Sequence, residues 1–127
     1  MTVFLITPYK VDKYFENKKS IAKEAFNKYD IDLALAEDNE ISLSVDKTIE
    51  LFQKSDFFIA DLSLERPSCY YELGYLQALK KSIFIISKRN EKIHQMLGRD
   101  SILFYDDLNG YKEIMEKISL QLGKREN

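Results

Sequence analysis

A single Cys and a single His in a chain of 127 residues remove several chemistries at once. There is no material for a disulfide framework or a Cys/His zinc cluster, and no Cys-His or Ser-His-Asp relay unless His94 serves it. Charge of one sign is also lacking: 19 Lys plus Arg face 21 Asp plus Glu, for a formal net charge of -2. Without a basic stripe to neutralise phosphate backbones, nucleic-acid polymers are excluded as ligands. Long apolar runs are missing as well. The opening run, Val3 to Ile6, is four residues without a basic leader, and nothing approaches the ~20 residues of a membrane span. No membrane association is expected, and the expected location is cytoplasmic, where one unpaired thiol is ordinary. At 45% hydrophobic and 13% aromatic residues the chain is too apolar for disorder, and residues 1-127 read as a single domain. Carboxylate, hydroxyl and backbone chemistry remain, with no cofactor or metal called for.

Short apolar runs alternate with amphipathic stretches, the pattern of repeated strand-helix units on a parallel sheet. Strands are expected at Val3–Ile6, Ile31–Leu35, Phe57–Ala60, Ile83–Ile86 and Ile102–Tyr105. The first helix is expected over about Val11–Tyr29, with Tyr14, Ile21, Ala22, Ala25 and Phe26 inward and lysines filling the solvated face. A second covers about Val45–Lys54 with Ser44 as N-cap, after the acidic loop Glu37-Asp38-Asn39-Glu40. A third runs from Pro67-Ser68 to about Lys80, where Lys80-Lys81 suit the negative end of its dipole. A short helix around Glu91–Leu97 should stop at Gly98, and a last one, about Gly110–Leu122, should close at Gly123 before a frayed tail.

Five such units predict an α/β fold: a flavodoxin-like doubly wound sheet of five parallel strands, order 2-1-3-4-5, with helices on both faces. Ligands of such sheets bind at the carboxyl edge where the strand order reverses. Two segments therefore become candidates, Thr7–Lys10 after strand one and Asp61–Glu72 after strand three.

In the second segment Glu72 follows the proposed cap Ser68 closely, so the positive end of the helix favours its ionised form by about 0.3–1 kcal/mol. An ionised carboxylate there serves as nucleophile, cation stabiliser or acceptor for sugar hydroxyls; it is equally a common dipole partner. Asp61 ends the strand and offers a second carboxylate, or an Asx turn for the loop. Two carboxylates converging on a crevice are the usual equipment for cleaving glycosidic bonds. Gly74 is expected to allow close helix-sheet packing. Tyr9 and Tyr71 offer aromatic faces to a base, while Lys10, Arg66, Ser63 and Ser68 offer phosphate contacts beside the helix start. Cys69 reads as a packing residue, and His94 as exposed.

The stretch Asp56 to Ser87, with an apolar strand ending in Asp and then Tyr71-Glu72-Leu73-Gly74-Tyr75, resembles the central segment of the nucleoside 2-deoxyribosyltransferase-like superfamily. The opening Phe4-Leu5-Ile6-Thr7-Pro8-Tyr9 is similar to that family's first strand and its Pro-aromatic turn; the matching pieces cover about a third of the chain. The resemblance implies that Glu72 attacks C1′ of a nucleoside or nucleotide and displaces the base, that Asp61 binds or protonates near base and sugar, and that Thr7, Pro8 and Tyr9 lie over the ligand. It also implies a homo-oligomer whose sites are completed by neighbouring subunits. One departure is visible: the family places a further acidic residue in a longer loop before the Glu motif, and here Glu65 is the acidic residue of a short loop.

Ser68-Cys69-Tyr70-Tyr71-Glu72-Leu73 is also similar to the Ser-x-Trp-Cys-x-x-Glu-Leu region of Toll/interleukin-receptor (TIR) domains, with Tyr for Trp and the Cys out of register. That resemblance implies cleavage of NAD in bacterial defence signalling, again through Glu72. The expected function is therefore an enzyme cleaving or transferring an N-glycosidic bond. A non-catalytic nucleotide-sensing module is the alternative from another class. A phospho-acceptor receiver domain fits less well: Thr7-Pro8 stands where receivers carry an acidic pair, and Tyr105-Asp106 lacks their Lys.

Overall fold

The computed structural model describes residues 1–9, 11–35, 45–94 and 98–126. Five parallel strands form one sheet: β1 (Thr2–Ile6), β2 (Asp32–Leu35), β3 (Phe57–Asp61), β4 (Ile83–Lys88) and β5 (Leu103–Tyr105), in the order β2-β1-β3-β4-β5. This is the doubly wound order read from the alternation of apolar runs. Among the described residues four helices cover it: α1 (Phe15–Asn27), α2 (Val45–Lys54), α3 (Pro67–Ala78) and α4 (Leu108–Glu126).

Strand residues alternate between two apolar layers, because successive side chains leave a strand on opposite faces. Val3, Leu5 and Ile59 join a core with Phe26 of α1 and Tyr111, Met115 and Leu122 of α4. Phe4, Ile6, Phe58 and Ala60 join a second core with Phe52 of α2 and Leu73 and Leu76 of α3. Continued one step, that alternation sends Asp61, the last residue of β3, toward the α1/α4 face.

Several element ends differ from expectation for identifiable reasons. Helix α1 begins at Phe15, not Val11, because the Tyr14 amide donates to Asp12 Oδ1 at 2.9 Å and the Phe15 amide to the Asp12 carbonyl at 3.1 Å, which folds residues 12–15 into a turn. Tyr14 is accordingly exposed rather than inward. Helix α3 starts at Pro67, with Arg66 rather than Ser68 in the cap position, and it ends at Ala78. Its end closes where the Lys81 amide reaches the Leu76 carbonyl across a left-handed Lys80. Helix α4 continues through Gly123 to Glu126. A Cβ on Gly123 would lie 2.5 Å from the Tyr29 ring, so this glycine admits Tyr29 to the helix surface and does not stop the helix. Gly74 has nothing within 4 Å of a built Cβ, so close packing does not explain it. Residues 91–94 are not helical; Gly98 is left-handed and opens a short turn at Arg99–Ser101. Lys10, Ser44, the acidic loop with Glu37, Asp38 and Glu40, and the end of the expected short helix lie outside the described residues. No described helix is long and apolar enough to cross a membrane.

Candidate active site

Glu72 lies in the second turn of α3, beyond reach of the first-turn amides that were expected to favour its charge. It is partly buried, and among the described residues no hydrogen bond or ion pair engages its carboxylate. Desolvation by burial then dominates and pushes its pKa up to about 7. The expected ionised carboxylate is thus corrected: near neutral pH Glu72 exists in both states. An unpaired, desolvated acid near the carboxyl edge of a sheet is the arrangement found at catalytic carboxylates.

Asp61 is completely buried. The Ser63 amide donates to its Oδ1 at 3.0 Å and the Ser63 hydroxyl at 2.7 Å, while the Tyr105 hydroxyl donates to Oδ2 at 2.8 Å. The first of these bonds is the Asx turn that its position at the strand end allows. Burial raises the Asp61 pKa, against the opposing pull of Lys18 and of the Ser63 and Tyr105 hydrogen bonds. Ser63 Oγ lies 3.0 Å from the Tyr105 hydroxyl, so the three side chains form a closed ring of oxygen-oxygen contacts.

Lys18 completes this cluster. Its ammonium donates to Asp12 Oδ2 at 2.7 Å and to the Tyr105 hydroxyl at 2.9 Å, and lies 4.0 Å from Asp61 Oδ2. Lys18 is buried, contrary to the solvated face assigned to the lysines of the first helix. The signal was present: Lys18 stands three after Phe15 and four before Ala22, inside the apolar stripe of α1. Neither Tyr105, at the end of the last strand, nor Asp12 carries a local sequence signal of this role. The cluster joins α1, β3, β5 and, through the Lys88 amide donating to Ser63 Oγ at 2.8 Å, β4.

Asp61 faces the α1/α4 layer, whereas Glu72 is carried by α3, which packs on the other. Both act on Cys69, which lies buried between their fields with its thiol pushed up to about 12, mainly by burial. That placement agrees with a packing role for Cys69.

The remaining candidates separate. Ser63 is buried and its hydroxyl is committed to Asp61 and the Lys88 amide, so it is not available to a phosphate. Glu65, Arg66 and Ser68 are exposed around the start of α3, and Tyr71 is 76% exposed. Thr7 Oγ1, at the end of β1, is buried without a hydrogen-bond partner among the described residues. Pro8 is buried, and the Tyr9 ring lies 5.9 Å from that of Phe15. His94 is exposed as expected, but it is not idle: its Nε2 is 2.8 Å from Glu65 Oε1, and its amide donates to the Tyr70 hydroxyl at 3.0 Å. Leu64 and Glu65 both have left-handed backbones, φ 67° and 51°, so the loop leading to α3 is strained where His94 grips it. Among the described residues no group of acidic, His or Cys side chains could hold a metal ion.

Neither a protein-family model nor a curated protein matches the chain. Solved structures do. The CMP N-glycosidase of Clostridium botulinum superposes with a TM-score of 0.66 at 15% identity, covering 92% of this chain and 99% of its own. This chain has its fold. A 2-deoxyribosyltransferase from Bacillus psychrosaccharolyticus superposes with a TM-score of 0.64, also at 15% identity, over 88% of this chain and 90% of its own. The doubly wound architecture expected from the alternation of strand and helix segments is therefore one that both solved structures share.

Proposed function

We propose that this protein cleaves or transfers the N-glycosidic bond of a nucleoside or nucleotide, with Glu72 as the acting carboxylate. The observation that carries this reading is the isolation of Glu72: partly buried, unpaired among the described residues, and raised to about 7. The Asp61 carboxylate is completely buried and already accepts three hydrogen bonds, whereas among the described residues none occupies Glu72.

In its ionised form Glu72 attacks the anomeric carbon, or stabilises the positive charge that develops there, as the bond from that carbon to the base nitrogen breaks. The bonding pair leaves with the base, which takes a proton, and water or a second base then accepts the sugar. A pKa near 7 keeps about half of Glu72 ionised at neutral pH while the desolvation that raises it strengthens its interaction with a developing cation. Asp61 acts through structure in this reading. Its ring with Ser63 and Tyr105 fixes the start of the loop that delivers α3, and Thr7–Tyr9, which follow β1, are proposed to lie over the ligand. Two of the fold's solved neighbours are described as a CMP N-glycosidase and a 2-deoxyribosyltransferase, which supports the bond type. A second copy of the chain is proposed to complete the site, since one small domain has little surface with which to enclose a nucleotide.

The test is incubation with ribo- and deoxyribonucleosides, their monophosphates and NAD, with free base measured by chromatography. Release of base by the wild-type protein from at least one of these, lost in Glu72→Gln, is the expected result. Nucleotide binding without release would favour a sensing module, and release from NAD alone would favour the TIR-like reading.

A further inference from the structure

A cavity of about 370 Å³ opens on the side of the sheet edge away from α3. It is within the ~300–1,000 Å³ range of small-ligand pockets. Its walls are Tyr14 and Lys18 of the α1 region, Lys88 at the end of β4, Tyr105 at the end of β5, and Asp106 to Asn109 at the start of α4. None of these residues belongs to α3 or to the loop before it, so the cavity is separate from the Glu72 site and its reading does not rest on that one.

Two of the lining groups are buried and charged or polar: Lys18 is 7% exposed and Tyr105 is 3% exposed. The Lys18 ammonium donates to Asp12 and to the Tyr105 hydroxyl, pairs with Asp61 at 4.0 Å, and lies 5.1 and 5.6 Å from the centres of the Tyr105 and Tyr111 rings, so a buried cation lines the cavity. Lys88 is exposed, and no carboxylate lies within ion-pair distance of it among the described residues. The Lys13 ammonium lies 5.1 Å from the centre of the Tyr14 ring, which lines the cavity. The wall also carries two carboxylates: Asp106 accepts from Arg89 Nε at 3.0 Å, and Asp107 Oδ1 accepts from the Gly110 amide at 2.9 Å and so caps the start of α4.

We infer that this cavity binds a small organic anion carrying a planar ring, with the anionic group on Lys18 and Lys88 and the ring against Tyr14. The two ammonium groups select for the anion, the exposed tyrosine for the ring, and the volume for a ligand of nucleoside-monophosphate size or smaller. Because the floor is the Lys18-Tyr105-Asp61 cluster, occupancy adds a charge next to the ring of hydrogen bonds that anchors the loop leading to α3.

Amide NMR titration of the whole chain tests this, with adenosine monophosphate, benzoate, adenosine and inorganic phosphate as separate probes. Saturable shifts at Lys88, Asn109 and Gly110 are expected with adenosine monophosphate or benzoate, at least tenfold weaker with adenosine or phosphate alone. The exposed Lys88→Ala should weaken binding tenfold or more, whereas Glu72→Gln should leave it unchanged, which separates this site from the catalytic reading. Response to adenosine monophosphate alone assigns a phosphate ester, and response to benzoate alone a carboxylate. The inference is overturned if shifts are confined to Thr7–Tyr9 and α3, if adenosine binds as tightly as its monophosphate and benzoate is inert, if Lys88→Ala binds normally, or if no probe saturates.

Discussion

Removing the Lys18 ammonium tests the energetic reading of the buried cluster. The Lys18 and Asp12 side chains are 8% and 5% exposed and 2.7 Å apart. At that distance, with an effective dielectric of about 20, the direct attraction is about 6 kcal/mol, much of it offset by the cost of desolvating both ions. What survives mutation is the penalty of a stranded partner. Lys18→Met leaves Asp12 charged and buried and deprives the Tyr105 hydroxyl of a donor, so a loss of about 3–5 kcal/mol is expected. Asp12→Asn strands Lys18 and should cost a comparable amount. The double variant strands neither ion, and its cost should fall short of the sum by about 2 kcal/mol or more. The exposed pair Lys54–Glu50, 68% and 59% exposed at 2.9 Å, is the control, with an expected coupling of about 0.5 kcal/mol or less. Urea unfolding of the four proteins in each cycle supplies the numbers. Strict additivity of the Lys18 and Asp12 changes, or single losses below about 1 kcal/mol, would refute the buried-pair account.

The Tyr111 hydroxyl is buried without a hydrogen-bond partner among the described residues, so Tyr111→Phe should be neutral or stabilising by up to about 1 kcal/mol in thermal unfolding, and a loss beyond that would reveal a partner. Gly74→Ala meets open space and should stabilise α3 by up to about 1 kcal/mol, whereas Gly123→Ala drives a methyl into Tyr29 at 2.5 Å and should destabilise by about 1–3 kcal/mol; chemical denaturation compares the two. Glu72 is raised from 4.5 to about 7 in the folded protein, so the folded state holds its proton where the unfolded chain has lost it. The stability that proton contributes is present below pH 4.5 and is lost as pH rises toward 7, by about 1–3 kcal/mol after allowance for partial exposure. Glu72→Gln should therefore be more stable than wild type at pH 8 and close to it at pH 4. Equal stability at both would show that burial does not act on Glu72 as described.

How much of this was legible in the sequence depended on the range of the interaction. The runs Phe57-Phe58-Ile59-Ala60 and Ile83-Phe84-Ile85-Ile86 carry their own strand signal, and their alternation with amphipathic stretches was enough to order the sheet. Glu72 was reachable because its motif is local. Its charge state was not, since burial is set by the layers around α3 and not by its distance from a cap. The Lys18–Tyr105 and Tyr105–Asp61 bonds span 87 and 44 residues, a separation at which no local pattern operates. A lysine inside an apolar stripe was the one available sign, and it was outweighed by the many lysines of the same helix that do face solvent. Asp61 looked like one of two converging catalytic groups because strand ends at a switch point usually face ligand. Strand alternation, counted from Phe58, would have sent it to the other face.

The measurement that bears most directly on the central claim is the rate of free-base release by wild-type protein and Glu72→Gln, on whichever nucleoside, nucleotide or NAD probe the wild type turns over. Loss of the ionisable oxygen should lower kcat by 100-fold or more, with folding intact, and wild-type activity should rise with pH through about 7 as Glu72 ionises. Release by Glu72→Gln at the wild-type rate would contradict the assignment of the chemistry to this carboxylate.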